Sequence, residues 1–255
     1  MDHIQKLPDL SQTPYALFLD IDGTLLDIAL EPGKVIVPPF LLSLLKRLSQ
    51  GLHGAIAIIT GRSIENVEKI LHPYPFSRKF AIAGLHGAQI SIPGKEIKKF
   101  IPPKEFLEAK NYIESMAKDY PDLLFEDKYS LATLHFRKNK SLAPQATQIM
   151  EKALKLCEKD YAIQKGKEVL ELKPKAIDKG FALRYFMQHS PFSNYLPLSI
   201  GDDISDEAMF LAAKELGGLS IKVCKCADQF TTAPLRIATP HSLLTWLARQ
   251  KICRA

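Results

Sequence analysis

A short apolar run, Ala16-Leu17-Phe18-Leu19, ends abruptly in two carboxylates one residue apart, Asp20-Ile21-Asp22, and Gly23-Thr24-Leu25 follows at once. No other stretch restricts the fold as strongly. An apolar run of this length bounded by turn residues reads as a strand buried on both faces, the kind that parallel sheets use. In open α/β sheets, ligands bind just beyond the carboxyl ends of the strands. The two acids therefore stand where a ligand belongs, on a turn that Gly23 lets bend sharply. Two like charges this close are costly unless a positive group joins them. A hard cation taking oxygen ligands, such as Mg²⁺, is the natural partner.

The same pattern recurs near the other end of the chain. Tyr195 to Ile200 reads as a strand and ends in Gly201-Asp202-Asp203-Ile204-Ser205-Asp206-Glu207. Asp202, Asp203 and Asp206 are three acids within five positions, which read as a second acidic site at a strand end or as a solvated acidic loop.

Between these segments the chain alternates. Leu41 to Leu48 has helical apolar spacing, with Gly51 as a stop signal. Ala55 to Ile59 is a second buried run, closed by Thr60-Gly61-Arg62-Ser63, and Ser63 suits the cap of a helix through Val67 and Ile70. Phe80 to Ala83 is a third strand, followed by Gly84-Leu85-His86-Gly87-Ala88. Strands alternating with helices predict a parallel sheet with helical crossovers.

Ile101-Pro102-Pro103 then marks a boundary. Phe106 to Lys118 reads as a helix, Leu123 to Phe125 and Ser130 to Phe136 as strands, and Ser141 to Cys157 as a helix interrupted near its start by Pro144. Glu168 to Leu172 is a further strand, stopped by Pro174. This is a small α+β unit, and residues 103–174 are expected to be an inserted cap, with 1–102 and 175–255 forming the α/β core. From Lys179 the βα rhythm returns: helices over Gly180 to Gln188, Asp206 to Leu216 and Ser242 to Lys251, and a strand over Leu219 to Val223.

Composition narrows the function classes. The 255 residues are 46% hydrophobic and 24% charged, ordinary for a globular protein, and no apolar run has membrane-spanning length. The polar start, Met1 to Leu10, has no signal-peptide core, and Cys157, Cys224, Cys226 and Cys253 have no metal-site spacing. A cytoplasmic monomer with reduced thiols is expected. The net charge of +6 comes from dispersed lysines, which suits an anionic substrate better than nucleic acid, for which no basic stripe with aromatics is present.

Single residues remain ambiguous on their own. Thr60 reads as a phosphoryl contact or as part of a capping turn. Arg62 reads as a substrate contact or a surface charge. Lys179, at a helix start, suits an anion but would be unremarkable alone.

Taken together, Asp20-Ile21-Asp22-Gly23-Thr24-Leu25 resembles the first motif of the haloacid dehalogenase-like phosphatases, and Gly201 to Glu207 resembles the fourth. The resemblance implies Mg²⁺ ligands among Asp20, Asp22, Asp202, Asp203 and Asp206, with Asp202 direct, Asp206 direct or through a water, and Asp203 a ligand or a support behind one; Mg²⁺ keeps several waters, so not all five are expected to bind it through their side chains. The resemblance implies a Rossmann-like core of parallel sheet with helices on both faces. It makes Asp20 the nucleophile that forms an aspartyl-phosphate, Asp22 the acid/base that must carry a proton in the first step, and Thr60 and Lys179 the second- and third-motif groups on the phosphoryl oxygens. Gly23 and Thr24 would shape the phosphate cradle.

From Tyr15 to Trp246 the chain is similar to the bacterial trehalose-6-phosphate phosphatases, through Pro32-Gly33, Val37-Pro38, Thr60 to Ser63, Gly84 to Ala88, Glu171 to Pro174 and Lys179-Gly180. That resemblance implies a sugar-phosphate substrate, Mg²⁺ as cofactor, and cap residues Glu126, Lys128 and Glu171 on the sugar hydroxyls. His86, Arg137 and Lys173 are lesser candidates beside Arg62, and His86 on its glycine-flanked turn reads equally as structural. The chemistry suits a polyol, since carboxylates accept from hydroxyls and an ammonium donates to them, although each residue also reads as an ordinary surface charge. Two departures stand out: Gln89 where the family usually has Glu, and Asp178 where it often has a hydroxyl residue. Rival readings are a phosphatase for sucrose phosphate or mannosylglycerate phosphate, and a non-catalytic sugar-phosphate sensor. The sensor would have no need of both Asp20 and Asp22.

Overall fold

Five consecutive buried residues make β1 (Tyr15–Leu19) a strand covered on both faces. The computed structural model describes residues 7–28, 35–72, 79–166, 168–225 and 230–252; Pro32-Gly33, Cys226 and Cys253 lie outside them. After β1 come α1 (Leu41–Gly51), β2 (Ile56–Ile59), α2 (Ile64–Ile70) and β3 (Ala81–Gly84). Gly51 proves to be the last residue of α1 rather than its stop, and its lack of a side chain makes room for Ile252, from which a Cβ would lie 2.3 Å. The turn comes at His53 and Gly54, both at positive φ. Two short strands unmarked by any apolar run follow, β4 (Gln89–Ser91) and β5 (Lys98–Lys99).

The next segment runs α3 (Lys104–Ala117), β6 (Leu124–Asp127), β7 (Ala132–His135), α4 (Ala143–Cys157), β8 (Tyr161–Gly166) and β9 (Val169–Pro174). Pro144 does not interrupt α4. It occupies the first turn, where the missing N–H costs nothing, after a 3-10 turn over Lys140–Leu142. β8 is an addition to the expected elements. The chain then continues through α5 (Lys179–Met187), β10 (Leu196–Gly201), α6 (Glu207–Glu215), β11 (Leu219–Val223), β12 (Leu235–Ile237) and α7 (Pro240–Arg249).

Among the described residues one sheet has the order β12-β11-β10-β1-β2-β3-β4-β5, and a second has the order β6-β7-β9-β8. The pairings from β12 to β3 are parallel, and β4 runs antiparallel to β3. β1 lies between β2 and β10, with Leu19 opposite both Ile58 and Ile200. The segments that begin at Asp20, Thr60 and Gly201 therefore leave the sheet side by side. Crossovers from β1 to β2 and from β10 to β11 run in opposite directions along the sheet, so their right-handedness puts α1 and α6 on opposite faces. α1 packs with α7, and α5 with α6.

The chain divides into two compact units, Met1–Lys98 with Asp178–Ala255, and Lys99–Ile177. Each has its own apolar core. In the first, Phe18, Phe186 and Phe192 pack ring on ring, with centroids 5.3–6.3 Å apart. In the second, Phe106 stacks on Tyr161 at 4.4 Å, and Ile113, Ile149 and Met150 of the helices cover Leu134, Leu170 and Leu172 of the sheet. No helix among the described residues is long and apolar enough to cross a membrane.

Candidate active site

Three strand ends supply the first unit's site. Asp20 follows β1 and is 4% exposed; Asp206 closes the 3-10 turn after β10 and is wholly buried. Lys179 is the first residue of α5. Its Nζ donates to Asp20 Oδ1 at 2.8 Å and to Asp206 Oδ1 at 2.6 Å. Carboxylate oxygens of Asp20, Asp202 and Asp206 all lie within 4.8 Å of one another. Asp206 Oδ2 also accepts the backbone N–H groups of Asp202 and Asp203, each at 2.9 Å, so one side chain ties its own loop to the lysine.

Two glycines make room for this group. A Cβ on Gly201 would lie 2.2 Å from Asp206 Cγ, and one on Gly23, at φ +80°, would lie 2.1 Å from Asp202 Oδ2. Gly23 is therefore both a turn residue and the wall behind Asp202. The buried Thr24 hydroxyl donates to Asp202 Oδ1 at 3.1 Å.

Burial raises Asp20 well above its usual range, against the opposing pull of Lys179. Burial, with Asp206 beside it, pushes Asp202 up to about 7. Burial alone would discharge Lys179, but Asp20 and Asp206 more than offset that and hold it charged. Three carboxylates against one ammonium leave negative charge in a dry place. The donor set is all oxygen, and a cation would offset the charge that burial penalises. These residues fit a hard divalent ion.

Asp22 and Asp203 direct their carboxylates elsewhere. Asp22 is gripped by Arg62, Nε to Oδ2 and Nη2 to Oδ1, both at 2.6 Å, a bidentate charge-assisted pair. Arg62 Nη1 is fixed in turn on Asn66 at 2.7 Å. The more exposed Asp203 caps the 3-10 turn by accepting from the Asp206 backbone, while the Asp206 side chain accepts from Asp203, a capping box. Thr60 is buried at the end of β2, and its Oγ1 accepts the Arg62 N–H at 3.2 Å.

The turn after β3 is strained. Leu85 and His86 take φ +51° and +57°, conformations that side chains other than glycine's rarely adopt. The turn is held by hydrogen bonds from Leu85 N to the Arg62 carbonyl and from His86 N to the Thr60 carbonyl, both 2.9 Å. The His86 ring lies so near Gly61 that a Cβ there would sit 2.8 Å from it. His86 thus belongs to the turn carrying Thr60 and Arg62.

Both departures from the family pattern are capping residues. Gln89 Oε1 accepts the Ile64 N–H at 2.9 Å at the start of α2, beside Ser63, which accepts from Asn66. An amide oxygen serves there as a carboxylate would. Asp178 is the N-cap of α5 and accepts from Phe181 N at 2.7 Å, as a Ser or Thr would.

The second unit carries its own polar cluster. Glu126, Thr133, Glu171 and Gln164 lie in register across β6, β7, β9 and β8, on the sheet face opposite Leu134, Leu170 and Leu172. Lys128, from the turn after β6, lies 3.0 Å from Glu171 and 3.6 Å from Glu126. Glu171 also accepts from Thr133 at 3.2 Å, and Glu126 is 2.9 Å from His135 Nε2. Burial would raise Glu126, but His135 and Lys128 hold it below its usual range. Lys173 reaches Gln164 at 2.9 Å, and Arg137 is exposed in the turn after β7. Thr133, His135 and Gln164 were not among the expected site residues. The alternation of β7, which sends Thr133 and His135 to one face and Ala132 and Leu134 to the other, is the signal that points to the first two.

The trehalose-phosphatase family model matches residues 18–240 of the chain, from the strand before Asp20 to the start of α7. The chain belongs to the trehalose-phosphatase family. It is 40% identical over 209 residues to a probable trehalose-phosphate phosphatase of Sinorhizobium fredii, covering 82% of this chain and 77% of that one. It is 34% identical over 248 residues to the trehalose-6-phosphate phosphatase of Escherichia coli, covering 96% and 89%. The C-terminal domain of the Candida albicans trehalose-6-phosphate phosphatase superposes with a TM-score of 0.77 at 23% identity, over 93% of this chain and 92% of that one. The architecture is that of the haloacid dehalogenase-like phosphatases, as expected from Asp20-Ile21-Asp22-Gly23 and Gly201 to Glu207.

Proposed function

We propose that this chain hydrolyses trehalose 6-phosphate to trehalose and inorganic phosphate in the cytoplasm, with Mg²⁺ as cofactor. The observation that carries the mechanism is the dry bridge of Lys179 between Asp20 and Asp206, beside Asp202. The names of the relatives support the substrate.

Lys179 pins one oxygen of Asp20, which orients the carboxylate and leaves it poised for in-line attack on phosphorus. The bond from Asp20 to phosphorus forms as the bond to the sugar oxygen breaks. Asp22 delivers a proton to the leaving alkoxide. It then takes a proton from the water that attacks the aspartyl-phosphate, which releases phosphate and restores Asp20. Arg62 sets the direction of the Asp22 carboxylate by gripping both oxygens, a pairing that favours the ionised form, so the pair has to part before Asp22 can carry the proton it delivers. Thr60 and Lys179 offer donors to the equatorial phosphoryl oxygens, where most of the catalysis of such transfers originates. Asp20, Asp202 and Asp206 would hold the cation, which when bound supplies positive charge against those same oxygens.

Residues 103–174 act as a cap that chooses the sugar. Glu126 and Glu171 accept from its hydroxyls and Lys128 donates to them.

The test is phosphate release from a panel of trehalose 6-phosphate, glucose 6-phosphate, sucrose 6-phosphate and mannosylglycerate phosphate, with and without chelator. Trehalose 6-phosphate is expected to be fastest, and chelation to stop it. A rate no higher than that with glucose 6-phosphate rejects the substrate assignment; turnover undiminished by chelation rejects the cofactor.

A further inference from the structure

A second buried lysine stands behind the acidic loop. Lys222 is the fourth residue of β11, in the run Leu219-Ser220-Ile221-Lys222-Val223, and is only 3% exposed. Lysine is seldom buried so deeply without a specific partner. Its Nζ donates to the backbone carbonyl of Asp203 at 2.9 Å and reaches Glu207 Oε1 at 3.3 Å, with the Phe210 ring 5.6 Å away.

Glu207 is also unusually well tied. At the first turn of α6, its Oε1 accepts the Thr231 hydroxyl at 2.7 Å, and its Oε2 accepts the Thr232 N–H and hydroxyl, each at 2.8 Å. Together with Lys222, these donors hold its carboxyl below the usual range although burial opposes them. The helix N-terminus favours the same charge.

Neither side chain belongs to the acid trio. Both act on the short loop between two of its members. Asp202 and Asp206 flank the Asp203 carbonyl that Lys222 holds. Inside the loop, Asp206 braces the backbone of Asp202 and Asp203. Outside it, Lys222 anchors the same turn to β11, and Glu207 anchors its far end to residues 231–232. The loop carries two of three carboxylates crowded within 4.8 Å of one another, so its backbone needs holding from outside as well as inside.

We propose that Lys222 and Glu207, with Thr231 and Thr232, form a brace that preorganises Asp202 and Asp206 and so sets how tightly the site holds its divalent cation. They are positioning residues. Groups that orient metal ligands from behind typically change metal affinity about 10- to 100-fold when removed. The inference rests on the cation site proposed above.

The experiment is a Mg²⁺ titration of the full chain, followed by calorimetry and by the rise in melting temperature, in the unaltered protein, in Lys222→Met and in the doubly substituted Thr231→Val, Thr232→Val. Both variants are expected to weaken Mg²⁺ binding about tenfold or more. They should also raise by a similar factor the Mg²⁺ concentration needed for half-maximal phosphate release. kcat at saturating Mg²⁺ should stay within about threefold, because no group on the reacting atoms has changed. The threonine pair keeps the test open if Lys222→Met does not fold, since it loosens Glu207 and leaves the buried lysine in place. Unchanged Mg²⁺ affinity in a cooperatively folded variant overturns the brace, as does a fall in kcat with affinity intact. If the unaltered protein itself fails to bind Mg²⁺, the cation site falls, and the brace with it. The first two results leave the cation site standing.

Discussion

Each unit holds a lysine between two carboxylates. In the first, Lys179 lies 2.8 Å from Asp20 and 2.6 Å from Asp206, with side-chain exposures of 3%, 5% and 0%. In the second, Lys128 lies 3.0 Å from Glu171 and 3.6 Å from Glu126, with exposures of 19%, 13% and 43%. The charges are alike and the water is not. A dry triad has fixed geometry and strong fields, which suit bond making at phosphorus. A half-wet triad on a sheet face exchanges its hydrogen bonds cheaply with water, and so with hydroxyls that resemble water. Under the proposed function, burial divides the same chemistry between reaction and recognition.

The largest expected effect comes from removing the dry nucleophile. Asp20→Asn should lower phosphate release by at least about 10³-fold on any substrate. Lys179→Met should abolish turnover too, and should also cost about 3–5 kcal/mol of stability in urea unfolding, because it leaves buried carboxylates without their counter-charge. The corresponding Lys128→Met should cost about 1 kcal/mol or less, its partners being wetter. Equal losses at the two lysines would break the contrast. Lys128→Met should instead lower kcat/KM for the disaccharide phosphate about 10- to 100-fold, the worth of one or two charge-assisted hydrogen bonds. Hydrolysis of a small aryl phosphate should stay within about twofold.

Proton linkage separates the units further. Asp202 binds its proton more tightly in the folded chain, at about 7 against an ordinary 3.8. Asp20 shifts in the same direction. For a carboxyl raised by folding, the unfolded state binds fewer protons between the two pKa values, so stability falls as pH rises through that window. Metal-free protein in chelator should therefore lose stability between about pH 4 and pH 7, and Mg²⁺ should flatten the loss. Glu126, shifted downward, works the other way: its contribution is present above its ordinary pKa and is lost as pH falls through its lower folded one. Urea midpoints measured across pH in chelator check the sign. A midpoint that climbs from pH 4 to 7 would contradict it.

The smallest effect tests a cap. Asp178→Ser should be neutral within about 0.5 kcal/mol, whereas Asp178→Ala should lose about 1 kcal/mol, since only the hydrogen bond to the Phe181 N–H matters there.

The candidate site was legible in the sequence because its acids end apolar runs, and strand ends of a parallel sheet converge. Asp20, Thr60 and Gly201 could be placed together from β1, β2 and β10 alone. Pairings between distant segments were not legible. Nothing local joins Arg62 to Asp22, or Lys222 to the carbonyl of Asp203; only the register of neighbouring strands brings them into reach. β8 is unmarked in the sequence for a related reason. Its residues Ala162 to Gly166 are half-buried or exposed, so the hydrophobic alternation that marks a strand is faint, and its stability comes from pairing with β9. The polar row Glu126-Thr133-Glu171-Gln164 is a property of that pairing and of no single strand.

The order of β10 beside β1 has a consequence in time. Asp20 and Lys179 are separated by 159 residues, and Thr24 and Asp202 by 178, with the whole second unit between them in the chain. Contacts of such span form late, because loop closure must be overcome before they are rewarded. A chain emerging from the ribosome presents Asp20 long before its counter-charge has been made. The surroundings that distinguish this carboxylate from a hydrated acid arrive only when β10 pairs with β1 and α5 brings Lys179 to it.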